Sequence, residues 1–385
     1  MKTRQAYNAR NMIVATVSVV AGILAANAFA ERQVIQLDQL TVLVTGQGAV
    51  AVGLDYANAK PMPLPQASAE PVSQLDSLLE AQEGKGLGMP GVAKSGNPGS
   101  GKLSPVVLVP KGNKVFDAPY EFNTREHGAS KLVFTTSRSN AYDNTTTRYY
   151  PYRAAGKLWF KVGVGLSVCS AALIKPGVLV TAAHCAANFG KRQYFSGWQF
   201  APGYDNGVAP FGQATVKAVY LASSYYNGTD ACFQKGVVCQ NDVAVLVLNT
   251  NIGKSTGWLT YGWNGYGYAN NQAHITQLGY PVALDAGASQ QRTDSQGFVI
   301  SSMSGSSVIG SLQTGGSSGG PWVVNFGMAP TLKGTAFGSN ATHNVIVGVT
   351  SWGNDTGKQQ GTSPFTSNNI ATLTNAACAA YPDSC

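Results

Sequence analysis

Three short stretches of this 385-residue chain carry the residue types of nucleophilic acyl chemistry. A serine hydroxyl cannot attack an amide at neutral pH unless a base takes its proton. The base needs a buried carboxylate to hold its tautomer, and the developing oxyanion needs fixed N–H donors. His184 stands in Val180-Thr-Ala-Ala-His184-Cys185, directly after an apolar run, and Cys185 can reach back to Cys169 in the preceding run. Asp242 stands in Asn241-Asp242-Val-Ala-Val-Leu, directly ahead of another. Ser318 lies in Gly315-Gly-Ser-Ser318-Gly-Gly-Pro321, where flanking glycines let the backbone turn sharply and approach a substrate closely. The amides of Gly316 and Ser318 can then point together as an oxyanion hole. Taken singly, each has a bland reading: a satisfied structural histidine, a turn aspartate, a Gly/Ser surface loop. Together, in the order His, Asp, Ser, they favour catalysis.

The elements that must position these residues read as β-strands. Short β-leaning runs start at Lys157, Val168, Val178, Ala214, Val243, Ile275 and Asn344, separated by turn signals. That pattern over residues 131–385 predicts a barrel or sandwich, and its length suits two small barrels with a cleft between them. One helix is expected at the end, with Asn368 or Asn369 capping Ile370 to about Ala377. Charged residues make up 11% of the chain, and Gly (45) and Tyr (17) are abundant, as in an all-β extracellular protein.

The first 30 residues have a positive start (Lys2, Arg4, Arg10), an apolar core from Met12 to Ala26 and the small-x-small pattern Ala28-Phe29-Ala30. This predicts export with cleavage after Ala30, because the apolar run is short for a membrane span. No second run of that length follows, so the mature protein is expected to be secreted, free of membrane and monomeric. Residues 31–130 read as a pro-segment that includes a Pro/Gly-rich linker from Pro61 to about Asn113. The net charge of +8 is spread without basic blocks, which argues against nucleic acid as a partner. All six cysteines lie beyond residue 168 and form near-neighbour couples: Cys169 with Cys185, Cys232 with Cys239, Cys378 with Cys385. Many pairings are open to six cysteines, but export permits disulfides, and no C-x-x-C metal knuckle occurs. No metal and no cofactor are expected.

Thr-Ala-Ala-His-Cys, Asn-Asp-Val-Ala-Val-Leu, Gly-x-Ser-Gly-Gly-Pro and the later Thr350-Ser-Trp-Gly353 together resemble the signatures of the chymotrypsin/trypsin superfamily. Tyr150-Pro-Tyr-Arg and Gly279-Tyr-Pro are similar in texture to its secreted bacterial branch. The resemblance covers about residue 150 to 385. It implies an all-β fold of two six-stranded antiparallel barrels with the site between them, and a serine endopeptidase acting on polypeptides. It also implies His184 as general base, Asp242 as its orienting partner, Ser318 as nucleophile and Ser351-Trp352-Gly353 as the strand edge on which substrate pairs. An idle protease scaffold used for binding, and a protease that cuts only its own chain or one partner, are the alternatives.

Two departures bear on activation and specificity. Ser317 stands where trypsin-like enzymes have an aspartate that pairs with a newly freed N-terminus. Leu312 stands where they keep an aspartate to grip Lys or Arg. Residues 1–126 contain six Glu and four Asp, whereas residues 127–385 contain eight Asp and no Glu. One physical account is an enzyme that cleaves after Glu and spares itself, with Glu121 or Glu126 as processing sites. Thr350 stands where glutamate-specific relatives place a histidine, leaving hydroxyls or Gln313 to receive a carboxylate. A neutral pocket around Leu312 and Gln313, taking medium apolar or polar side chains, is the default expectation. Peptide substrates bearing Leu or Phe should therefore be cut in preference to Glu or Lys. A mature N-terminus at residues 122–127 together with a Glu preference would establish the alternative.

Overall fold

The computed structural model describes residues 32–45, 56–63, 65, 93–105, 107–108, 132–140, 145–232, 238–269, 271–300, 303, 305–328, 342–354 and 358–385. The expected signal peptide, the stretch 46–52, most of the expected linker, and Glu121 and Glu126 lie outside these residues.

Before the main domain come β1 (Gln33–Gln36), β2 (Leu40–Val44), β3 (Lys60–Pro61), β4 (Ala93–Lys94) and β5 (Phe134–Arg138). The first barrel is built from β6 (Ala155–Val162), β7 (Gly165–Lys175), β8 (Val178–Thr181), β9 (Ser196–Pro202), β10 (Ala214–Ala222) and β11 (Ala244–Leu248). They close in the order β10-β9-β6-β7-β8-β11 and back to β10, every pairing antiparallel. After β12 (Thr260–Gly262), the second barrel is built from β13 (Gln272–Gly279), β14 (Gln291–Ile300), β15 (Ser306–Gly310), β16 (Pro321–Val324), β17 (Val345–Asn354) and β18 (Gln359–Pro364). They close as β16-β13-β14-β15-β18-β17, again antiparallel throughout. The two expected six-stranded barrels are present.

Two of the strands that the sequence pattern left out have a physical reason for being quiet. Along β14 burial alternates strictly, yet the inward residues at its start are Gln291, Thr293 and Ser295. Strand β18 reads Gln-Gln-Gly-Thr-Ser-Pro, without an apolar residue, although its first five residues are buried. Hydrophobic periodicity reports a strand only when its buried face is apolar, and here it is polar. The C-terminal helix differs at its start. Thr366, not Asn368 or Asn369, is the cap: its Oγ1 accepts from the Asn369 amide at 3.2 Å, while Asn369 Oδ1 accepts from the Thr366 amide at 2.7 Å. Asn369 is thus the far member of a capping box. The helix runs on through Thr372–Ala380, and Ile370, Leu373 and Ala377 join the core of the first barrel.

Parts of the expected pro-segment are tied to both barrels. Strand β2 pairs with β10 beyond the end of β9, β3 pairs with β7 and β4 with β12, while β5, just inside the expected working domain, pairs with β14. The expected disulfides Cys169–Cys185, Cys232–Cys239 and Cys378–Cys385 are all formed. Among the described residues no helix is long and apolar enough to cross a membrane.

Lys157 on β6 is buried beside the cleft. Its Nζ donates to the Gly287 carbonyl at 2.6 Å and lies 5.4 and 5.3 Å from the rings of Trp159 and Tyr204. These partners favour the ammonium, but lost hydration outweighs them and pulls its pKa down to about 7. Between that value and the ordinary lysine value, the unfolded chain holds a proton that the folded chain lacks, so stability rises with pH across this window. Denaturant unfolding at about pH 7 and about pH 9 should show a gain for the wild type at the higher pH, and a markedly smaller one for Lys157→Met.

Candidate active site

His184 and Asp242 meet where the barrels face each other, and the loop carrying Ser318 packs against β7, β8 and β17 beside them. His184 lies in the turn Ala183–Cys185 that ends β8, and Cys169–Cys185 staples this turn to β7. The indole of Trp198 donates to the Cys185 carbonyl at 3.1 Å and closes the turn from the other side. Asp242 directly precedes the buried strand β11 and is itself buried. Its Oδ1 accepts from the His184 backbone amide at 2.8 Å, and its Oδ2 faces His184 Nδ1 at 2.8 Å and accepts from Ser351 Oγ at 2.5 Å. Burying a carboxylate is costly unless its oxygens are satisfied in this way. The arrangement assigns the proton to Nδ1, which leaves Nε2 free to act as a base.

The loop carrying Ser318 is held from both barrels. The Ser170 amide of β7 donates to the Ser318 carbonyl at 2.8 Å, and the Gly319 amide donates to the Thr350 carbonyl of β17 at 2.8 Å. Gly319 has φ +76°, and a Cβ there would fall 1.9 Å from Thr181 Oγ1 and 2.5 Å from the Ser170 carbonyl. Gly316 has φ +97°, and a Cβ there would fall 2.5 Å from the Tyr280 carbonyl. Only glycine fits either position, which is the structural content of the Gly-rich motif.

Ser318 is 0% exposed. Its Oγ and His184 Nε2 are both buried and neither has a hydrogen-bond partner among the described residues, so no hydrogen bond joins them. The Gly316 amide, one of the two expected oxyanion donors, is taken by the Met62 carbonyl at 3.3 Å. The Gly353 amide on the expected substrate edge is taken by the Pro65 carbonyl at 2.9 Å.

Of the remaining expected residues, Leu312 is half-buried, Ser351 is turned onto Asp242, and the indole of Trp352 donates to Ser306 Oγ at 3.1 Å. Gln313 is buried in a polar network that sequence reasoning missed. The amide of Gln360 donates to the Gln313 carbonyl at 2.6 Å and to Ser317 Oγ at 3.1 Å. Gln277 Nε2 donates to Gln360 Oε1 and, at 2.8 Å, to Thr350 Oγ1, while Gln313 Nε2 donates to Thr293 Oγ1 at 3.2 Å. Ser317 Oγ completes the loop by donating to the Thr314 carbonyl at 2.7 Å. Neutral amides therefore brace the 313–317 turn. The only sequence signal for this was the apolar-poor run Gln359–Pro364.

Cys169, His184 and Cys185 come within 4.8 Å of one another, but the two sulfurs are joined in a disulfide and offer no thiolate to a metal.

Replacing Gln360 by Leu strands the Gln313 carbonyl and the Ser317 hydroxyl. Thermal unfolding should report a loss of about 2–4 kcal/mol. Turnover of peptide substrates should fall by about 10- to 100-fold, more in kcat than in KM, because the oxyanion donor at Gly316 is misplaced.

Comparison with known proteins agrees with this geometry. The Trypsin family model matches residues 144–376. No curated protein matches the chain. Among solved structures, the chain is similar to the protease Anisep from Arthrobacter nicotinovorans, with 24% identity, 59% of this chain and 96% of that one covered, and a TM-score of 0.47. It is likewise similar to the thermostable serine protease AL20 from an extremophilic microorganism, with 22% identity, coverage of 58% and 96%, and a TM-score of 0.47. A Glu endopeptidase is matched at 22% identity, with coverage of 63% and 95% and a TM-score of 0.46. A family match spanning more than half of the chain, over two closed antiparallel barrels, makes this chain a member of the trypsin family, a serine endopeptidase.

Proposed function

We propose that the chain hydrolyses peptide bonds through His184, Asp242 and Ser318, and that it is exported and made as a precursor. The observation that carries this reading is the two-point contact of Asp242 with the His184 backbone and Nδ1, each at 2.8 Å. In the reaction, His184 Nε2 takes the Ser318 hydroxyl proton as Oγ adds to the scissile carbonyl. The Gly316 and Ser318 amides hold the resulting oxyanion. The same imidazole then gives its proton to the leaving amine as the C–N bond breaks, forming an acyl-enzyme and the first product. Water, deprotonated by Nε2, attacks the ester and restores the serine. Substrate backbone pairs along Ser351–Gly353, taking the Gly353 amide that here donates to the Pro65 carbonyl.

In this reading residues 1–30 direct export, 31–130 form the pro-segment, and 131–385 are the working domain, a secreted monomer without nucleic-acid or membrane partners. Three disulfides suit an oxidising compartment. The side chain preceding the cut is neutral and of medium size. Gln313 Nε2 gives its two protons to Thr293 Oγ1 and, at 3.5 Å, to the Gln277 carbonyl, so it is no free donor for a carboxylate, and Thr350 is fully buried.

Ser318→Ala should lower turnover by about 10⁶-fold with folding intact, because such residues act as a unit. Ser317→Ala should be mild by comparison, and a reversal of that order would refute the assignment. A fluorophosphonate probe separates this enzyme from an idle scaffold, since only the enzyme is labelled. Casein separates a general protease from one restricted to its own chain.

A further inference from the structure

Ser318 is fully covered, although a nucleophile must meet its substrate, and the groups that would receive that substrate are already occupied. The occupant is a proline-spaced segment far upstream, Lys60-Pro61-Met62-Pro63 with Pro65. Lys60 and Pro61 pair in parallel with Ser167 and Val168 of β7, and the Met62 amide donates to the Val168 carbonyl at 2.9 Å. The Met62 carbonyl then takes the Gly316 amide, and the Pro65 carbonyl takes the Gly353 amide. A Cβ on Gly315 would lie 3.1 Å from the Met62 carbonyl oxygen, 3.5 Å from Pro61 Cβ and 3.8 Å from Pro63 Cα, so the segment is in contact with the serine loop. Just ahead of it, the ring of Tyr56 packs edge-on against Trp159, with centroids 5.5 Å apart, and its hydroxyl bonds Gln199.

We propose that Lys60–Pro63, with Pro65, is a tethered peptide ligand of the cleft, bound as an inhibitor in a direction that the machinery cannot cleave. This rests on the reading of His184, Asp242 and Ser318 given above and names the regulation of that same site. Two features protect the strap.

The first is direction. The chain reaches the Gly316 amide from β7, the strand stapled to the His184 turn, and leaves toward Gly353. The Met62 carbonyl on the Gly316 amide therefore has its own Cα on the β7 side, and the nitrogen of Pro63 departs toward the opposite edge. Cleavage needs that nitrogen where the imidazole can protonate it.

The second is composition. The presented bond is Met62–Pro63, whose nitrogen carries ring carbon in place of hydrogen. Prolines at 61, 63 and 65 fix φ and cannot donate, so the strap is stiff before it docks and binds mainly through accepting carbonyls. Tethering supplies a high effective concentration, so a weak ligand suffices, and removing the segment releases the site. Because neutral amides around Gln360 already brace the serine loop, opening the cleft requires no new N-terminal charge.

The test uses the intact chain. In the variant Pro61→Ser/Met62→Gly/Pro63→Ser, and less strongly in Tyr56→Ala, fluorophosphonate should label Ser318 about tenfold or more faster than in the uncut wild type, as expected when a ligand at millimolar effective concentration is lost. Equal rates would overturn the proposal. A synthetic peptide of residues 56–65 should inhibit the processed wild-type enzyme competitively and stay uncut at Met62–Pro63. Absence of inhibition at about millimolar peptide, or cleavage at that bond, would also overturn it. Should the variant misfold, the peptide result decides. Hydrogen exchange in the Ser318→Ala chain reads docking without chemistry: the Gly316 and Gly353 amides should exchange slowly with the native strap and faster without it. Unchanged exchange rejects the strap. Slow exchange beside a processed chain that never labels keeps the strap and rejects the assignment of the nucleophile.

Discussion

A single buried carboxylate ties the two barrels together at the site. Asp242 accepts from the backbone amide of His184 in the first barrel and from Ser351 Oγ in the second, while its Oδ2 meets the imidazole. Removing any one donor leaves a buried carboxylate short of a partner, which is costly. The site therefore requires both barrels in register. The serine loop repeats this logic in neutral form, with one bond to Ser170 of β7 and one to Thr350 of β17. Cleft geometry and barrel docking are the same set of hydrogen bonds.

The two barrels reach their stability differently. The first has a broad apolar core that takes in Ile370, Leu373 and Ala377 of the C-terminal helix and continues into the second barrel through Leu278, Val323, Ile346 and Val349. The second has smaller apolar clusters around Trp322 and Trp352, and beside them the buried amides of Gln277, Gln313 and Gln360 and the hydroxyls of Thr293, Ser311 and Thr350. Such a network is worthwhile only when nearly every member is satisfied, and then it specifies one arrangement. Here that arrangement is the shape of the 313–317 turn. An amide brace carries no charge, so it is complete as soon as the chain folds, whereas an ion pair with a new N-terminus waits on cleavage. With the loop already shaped, control passes to whatever occupies the cleft, and the upstream segment is well placed for that. The hairpin of β1 and β2 on β10, and β4 on β12, hold flanking parts of the upstream chain against both barrels.

Much of the chemistry was legible in the residues because its demands are local. A glycine that tolerates φ of +76° beside Thr181, a histidine in a stapled turn, and an aspartate ahead of an apolar strand each leave a mark within a few positions. Near-neighbour cysteine couples predicted the disulfides for the same reason, since short loops close at little entropic cost. Strands with apolar inward faces, such as β7, β8 and β11, showed in the pattern. Strands β14 and β18 did not, because their buried residues are glutamine, threonine and serine, which look like surface until a partner is known. By itself the sequence determined the three candidate residues, their order along the chain and the all-β class. The tertiary structure alone decided that Gln360 shapes the serine loop and that Met62 sits on the Gly316 amide. Those contacts join residues 43 and 254 positions apart, and a hydrogen bond at such separation leaves no trace in spacing or periodicity.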